Sequence, residues 1–330
     1  MKQVRSSSKI HTALLSIVGM LLWCTCVVCL LVPSTAHASQ SGHSIKVGAF
    51  LNDVSDIDVT TGKATFDLYM WVVSAQPFDA EGGFEIINGD GTVRLVESKT
   101  RDDGKSYQLL RVLANSKQRY DMQDYPFDRQ TLHLKFDFDP SVENTNIDVV
   151  ADRENSARAN DIILPGWQLG ALSTSAAQQR YPTSWGDLIQ DAESLSYPEF
   201  TISLDIERET PVYLVRYFSV IIFAGFLAML GLFLKPGETT RISLGIGAYI
   251  SLSASNLVIA NKLPVTDTLN FSDYVIIVTG SVIIASVLYS LVTYHLYGKT
   301  PAKAETIDRV ARAVFPLAWL ASLAAIFSMT

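Results

Sequence analysis

The run RISLGIGAYISLSASNLVIANK, Arg241 to Lys262, has the length of a bilayer crossing but not the composition of a helix bathed in lipid. About 20 residues span the ~30 Å hydrocarbon layer, yet this run carries Ser243, Ser251, Ser253, Ser255 and Asn256. On a 3.6-residue period, Ser243, Gly247, Ile250, Ala254, Leu257 and Asn261 share one stripe, small or polar at its ends and bulky in its middle. Two readings fit. One is a packed membrane helix with Ser and Gly at helix contacts. The other is a pore lining whose apolar constriction gates by dewetting.

Around this run lie four apolar segments, about 213–234, 242–260, 274–296 and 310–329. Lys235, Arg241, Lys299, Lys303, Arg309 and Arg312 fall on one side of them, and Lys262 alone stands in the opposite loop. The positive-inside rule puts the basic loops in the cytoplasm and everything before the first helix outside. Short connections predict a compact four-helix bundle.

The preceding half, 39–210, is polar and reads as short strands punctuated by turns. Residues 44–51 alternate and 53–62 are turn-rich; residues 64–73 put Phe66, Leu68 and Met70 on one face, and 130–138 alternate again. Asn88-Gly89-Asp90-Gly91 and Asp102-Asp103-Gly104 signal turns. With no helical period of useful length, the expectation is an all-β, immunoglobulin-like sandwich of about ten strands. Residues 1–38 read as a secretory signal: Lys2, Arg5 and Lys9, an apolar run, then Ala36-His37-Ala38. Cleavage would remove Cys24, Cys26 and Cys29 and, with three cations lost, move the net charge from −7 to −10. That leaves no thiol for a disulfide or metal site. The acidity argues against nucleic acid and favours cations at the exported face. No nucleophile, metal or phosphate-binding motif appears, so an enzyme is not expected, nor any cofactor.

The stretch QRYDMQDYPFDRQTL, Gln118 to Leu132, followed by four apolar segments, resembles the signature loop of the pentameric ligand-gated ion channels, the superfamily of the Cys-loop receptors. Tyr125-Pro126-Phe127-Asp128 matches the aromatic-Pro-aromatic-Asp core. Gln118 and Leu132 stand where animal members carry bracketing cysteines, as in bacterial relatives. The resemblance covers roughly residues 45–330 and includes residues 50–71, Arg241–Asn256, 307–319 and the basic Arg208 before Thr210-Pro211. Two departures stand out. The first membrane segment has Ile222-Phe223-Ala224-Gly225 where a proline is usual, and Thr239 and Thr240 separate Glu238 from Arg241.

The resemblance implies a homopentamer in the cell membrane, multi-pass, with the β-domain outside, gated by a small molecule, a divalent ion or protons. Copies of the stripe would form rings: Ser243 near the inner mouth, Ile250 and Leu257 as the apolar gate, with Gly247, Ala254 and Asn261 between and beyond. Glu238, with Thr239 and Thr240, would form the inner entrance and favour cations; a solvated loop charge is the plainer reading. Coupling would run through Asp58, Tyr125, Pro126, Phe127, Asp128, Arg208, Lys262 and Pro264. Asp128 and Arg208 are opposite charges that could pair across this junction, half-buried and easily exchanged; the alternative is that each is a separately satisfied surface charge. The implied ligand site lies under the hairpin Arg180–Leu195, with Tyr181 and Trp185 for cation–π contact, Phe136 and Phe138 behind, and Tyr69 and Trp71 from the neighbouring subunit. Trp71 also fits the sandwich core, and Asp187, Asp191 and Glu193 a solvated loop. His133 beside the signature loop suits proton gating. The rival reading is a membrane-anchored sensor or interaction protein that does not conduct.

Overall fold

A computed structural model describes residues 43–76, 78–138, 147–183, 196–264 and 268–328. The signal segment, Trp185 and the acidic residues of its hairpin lie outside the described residues.

Ten strands form two sheets: β1 (His43–Asp58), β2 (Lys63–Ser74), β3 (Phe84–Ile86), β4 (Gly89–Thr100), β5 (Ser106–Lys117), β6 (Arg129–Phe138), β7 (Ile147–Ala151), β8 (Ala157–Arg158), β9 (Trp167–Arg180) and β10 (Ser196–Arg208). The first sheet runs β4-β5-β2-β1-β7, with β8 also on β1; the second runs β3-β6-β10-β9. Alternation decides which side chains fill the space between them. In β2, Ala64, Phe66, Leu68, Met70 and Val72 point inward; in β6, Leu132, Leu134, Phe136 and Phe138 do; in β10, Phe200, Ile202, Leu204 and Ile206 do.

Two turn expectations shift. Residues 53–58 continue β1 through bulges at Leu51/Asp53 and Ser55/Asp58 rather than forming a turn. Gly89 and Gly91 lie inside β4, where a Cβ would meet the β5 carbonyls of Asn115 and Leu113 at 2.1 and 2.3 Å. Gly62, by contrast, closes the β1–β2 turn at φ +70, and a Cβ there would strike the Gln118 carbonyl.

Four helices follow, each long and apolar enough to cross a membrane: α1 (Thr210–Gly231), α2 (Thr240–Ala260), α3 (Phe271–Lys299) and α4 (Pro301–Phe327). α1 carries a π-helical stretch over Leu214–Phe218. Where the proline was expected, Gly225 admits the Trp319 ring, which any Cβ would meet within 2.2 Å; Trp319 Nε1 donates to Thr279 Oγ1 at 3.2 Å. α3 opens on a reciprocal cap, with Asp273 N donating to Asn270 Oδ1 and Asn270 N to Asp273 Oδ2. α4 begins nine residues before the expected 310. Hydropathy stops at its charges, but Ala304, Asp308 and Ala311 form a buried face that continues the helix.

Candidate functional site

The β5–β6 connection is closed by amides rather than by sulfur. Gln118 Oε1 accepts from His133 N at 3.0 Å and Gln118 Nε2 donates to His133 O at 2.7 Å, so one side chain bonds to the backbone as a strand would. Gln130 ties the other end. Its Nε2 donates to Asp121 O and Asp128 Oδ2, and its Oε1 accepts from Asp121 N. Between these ties Tyr125 N and Phe127 N bond back to Met122 O and Asp124 O, and the Tyr125–Pro126 bond is cis.

This loop meets the end of β10 and the outer ends of the helices. Asp128 and Arg208 form a fork: Nε to Oδ1 at 2.5 Å and Nη2 to Oδ2 at 2.9 Å, with side chains 1% and 3% exposed. The guanidinium also lies over the rings of Trp167, Tyr213 and Tyr125, at 4.1, 4.9 and 5.0 Å. Burial works against the Arg208 charge, but Asp128 outweighs it and holds the guanidinium's pKa above its ordinary value. Burial holds the Tyr125 phenol well above its usual range. A buried, doubly bonded pair is a strut, not the half-buried exchangeable pair expected from sequence. Phe127 continues the contact, edge-on to Phe271 of α3 at 5.1 Å and to Phe327 of α4 at 6.5 Å. Thr210 Oγ1 donates to Pro126 O at 3.0 Å.

The remaining coupling residues divide. Asp58 is exposed and caps its own turn, accepting from Thr60 N, Thr61 N and Thr61 Oγ1; the Thr61 hydroxyl bond chiefly lowers its pKa. Val59, not Asp58, packs against the membrane cluster. In the α2–α3 linker, Lys262 is exposed and Pro264 half-buried, while Leu263 packs against that cluster.

On α2, Arg241, Gly245, Ala248, Leu252, Ser255 and Ile259 pack into the bundle. The opposite side is left open in the single subunit: Ser243, Ile250, Ala254, Leu257 and Asn261 are exposed, Ile250 and Leu257 each by 63%. Nothing lies within 4 Å of a Cβ placed on Gly247. Glu238, Thr239 and Thr240 are exposed at the turn entering α2.

The expected ligand residues are not gathered in one chain. Phe136 and Phe138 are core residues, 0% and 3% exposed, packed in an aromatic cluster with Phe84 and Phe78. The inward phase of β6 that buries Leu132 and Leu134 buries them too, so they do not face a ligand. Tyr69 and Trp71 take the outward phase of the first sheet. Trp71 lies over Gly48 and donates Nε1 to Asp152 Oδ2 at 3.2 Å, and the Arg111 guanidinium sits 5.7 Å from the Tyr69 ring. Tyr181, at the end of β9 in the second sheet, stacks edge-on to Tyr197 at 5.5 Å and donates its hydroxyl to Asp137 Oδ2 at 3.1 Å.

Asp137 was not singled out from sequence. It takes the outward phase of β6 yet is 8% exposed, and Glu199 of β10 stands opposite it. Burial raises its pKa, Glu199 and Glu85 add to the rise, and bonds from Phe138 N and Tyr181 oppose it. Tyr181 is pushed up to about 12 by burial and by that carboxylate. His133 goes down, chiefly by burial and then by Lys135; its Nδ1 lies 3.0 Å from Ser203 Oγ. No group of metal-holding side chains occurs among the described residues.

No family model matches the chain. It is 24% identical over 227 residues to a proton-gated ion channel of Gloeobacter violaceus, covering 68% of this chain and 60% of that protein. It is 21% identical over 214 residues to the neuronal acetylcholine receptor subunit alpha-9 of Gallus gallus, covering 65% and 42% respectively. The alpha-9-II subunit of Oncorhynchus mykiss matches over 177 residues at 19% identity, 54% of this chain and 30% of the subunit. The chain thus spans well under two thirds of the length of these relatives.

Proposed function

We propose that the chain, which is similar to pentameric ligand-gated ion channels of the Cys-loop superfamily and has four helices able to cross a membrane, is a multi-pass membrane protein with its β-domain outside that forms a homopentameric cation channel. The observation that carries the reading is the open side of α2. Ser243, Ile250, Ala254, Leu257 and Asn261 are exposed in the single subunit, with Gly247 half-exposed among them, while the other side of the same helix is packed. Copies of α2 around an axis give that side a function: hydroxyls at the inner end and two apolar rings above, which close the pore by excluding water. Exposed Glu238 at the inner entrance and the net negative charge of the chain favour cations.

Opening starts from the β-domain. Asp137 with Glu199, Tyr181 and Tyr197 offers carboxylates and ring faces to a small amine, and Trp71 and Tyr69 stand outward to complete the site from a neighbour. Protons are the second candidate agonist, because burial raises the Asp137 pKa. The signal passes to the helices through Tyr125, Pro126 and Phe127, braced by Asp128 and Arg208.

The test is the reversal potential of purified protein in planar bilayers under a KCl gradient, with amines, divalent cations and acid added in turn. Reversal near the potassium potential supports the proposal; reversal near chloride's removes cation selectivity. Silence from a folded pentamer, persisting in an Ile250→Ser variant whose gate should leak, would favour the non-conducting sensor.

A further inference from the structure

The inner end of the bundle holds a second buried ion pair that the reading above leaves unused. Arg241 stands in the first turn of α2, the one basic residue there, where the axis of a pore would pass. Its side chain turns the other way. Both it and Asp308 of α4 have side chains at 0% exposure, and Arg241 Nη2 donates to Asp308 Oδ1 at 2.7 Å. Asp308 is held from two further directions. Arg312 donates Nη2 and Nε to Oδ2 at 2.9 and 3.2 Å, and Tyr289 Oη of α3 lies 3.3 Å from Oδ1. Residues of α2, α3 and α4 thus meet at this carboxylate, and Arg312 Nε also donates to Leu232 O just past α1. The Arg241 Nε and Nη1 atoms, buried, have no partner.

We propose that Asp308 is a specificity-determining residue: by holding the Arg241 guanidinium inside the bundle, it keeps a ring of positive charge out of the inner pore mouth. The argument rests on the channel reading and adds a cause of selectivity outside the pore wall. Arg241 follows Glu238, Thr239 and Thr240, all exposed, and precedes Ser243 on the open side. Only the direction of its side chain separates it from the ion path. That direction is set by one charged bond, with the Tyr289 ring 5.9 Å away and no hydrogen-bond partner for Nε or Nη1 among the described residues. A buried guanidinium deprived of its carboxylate is strongly unfavourable, and on the channel reading the turn that carries exposed Glu238, three residues before it, offers it water at the inner mouth. There it would oppose the carboxylate that attracts cations.

The experiment compares reversal potentials under a KCl gradient for wild type, Asp308→Asn, and Arg241→Gln with Asp308→Asn. The single variant is expected to shift from the potassium side toward chloride, and the double to return to the wild-type value, because it has no guanidinium to release. A merely structural pair would lower the yield of both variants and move neither potential. An unmoved single variant, or a double shifted as far as the single, overturns the proposal, provided wild type conducts; a silent wild type instead counts against the channel reading. Should Asp308→Asn fail to assemble, an arginine-directed dicarbonyl reagent with peptide mass spectrometry reads wild type directly. Exposed Arg309 should react and Arg241 should be protected. Equal modification of the two would overturn the proposal.

Discussion

The molecule has a buried arginine–aspartate pair at each end of its helical bundle, and the two are built differently. At the outer junction Arg208 gives two donors to Asp128 and lies among three aromatic rings. At the inner end Arg241 gives one donor to Asp308 and leaves two buried N–H groups idle, while the Tyr289 ring is 5.9 Å away. The burden is reversed for the acids. Asp128 depends on one arginine and Gln130, whereas Asp308 is shared by two arginines and a phenol. The outer pair is specified by its arginine and the inner one by its aspartate. An outer strut held from both sides can transmit a displacement of the β-domain without yielding; the inner pair ties α2, α3 and α4 to one carboxylate.

Removing each arginine tests that asymmetry. Arg208→Gln strands a buried carboxylate, which costs ~3–5 kcal/mol; a large fall in the unfolding midpoint is expected. Arg241→Gln leaves Asp308 with Arg312 and Tyr289, so the loss should be nearer one charged hydrogen bond, about 2 kcal/mol. Equal effects of the two variants would break the comparison.

A smaller step separates this outer junction from one tied by a disulfide. Gln118→Ala removes both bonds to the His133 backbone and leaves a half-buried N–H and C=O to find water. A destabilisation of ~1–2 kcal/mol is expected in denaturant melts, with the fork between Asp128 and Arg208 intact. No measurable change would mean that the Gln130 ties close the loop unaided.

Reading these features in the sequence succeeds where a period carries them and fails where a distant partner does. On α2 the 3.6-residue spacing groups residues that are exposed in the single subunit, and Ile246, Tyr249 and Val258 outside that stripe are exposed as well. The sandwich follows from alternation in β2, β6 and β10, and that same alternation puts Phe136 and Phe138 inside, against the ligand role the resemblance suggested. β4 is exposed along most of its length, so no alternation marks it. Asp58 invites a role in coupling by its charge, yet its neighbours Thr60 and Thr61 occupy it. Asp308 lies in a charged stretch that hydropathy excludes from the membrane, and distant partners, Arg241 67 residues earlier and Tyr289 19 residues earlier, give it a place in the bundle. Asp137 looks like any outward residue of a strand because Tyr181, which covers it, is 44 residues away.

Asp137 also supplies the smallest and most discriminating test, since it is a buried carboxylate with no paired cation among the described residues. Lys135, its near neighbour, pairs instead with Glu199 at 3.0 Å. Its folded pKa is raised, mainly by burial, so the folded protein holds this proton more tightly than the unfolded chain. The stability it contributes is present when it is protonated and is lost as pH rises through that raised pKa. At pH 7 the charged form works against the fold, with only Phe138 N and the Tyr181 hydroxyl to offset it. Asp137→Asn should therefore match or exceed wild type in thermal stability at neutral pH, by up to about 1 kcal/mol. The difference should close on acidification toward about pH 4, the ordinary aspartate range. A variant less stable than wild type at pH 7 would mean that a cation serves Asp137 as Arg208 serves Asp128. In that case the carboxylate would be neither the proton acceptor nor the free amine partner that the agonist reading requires.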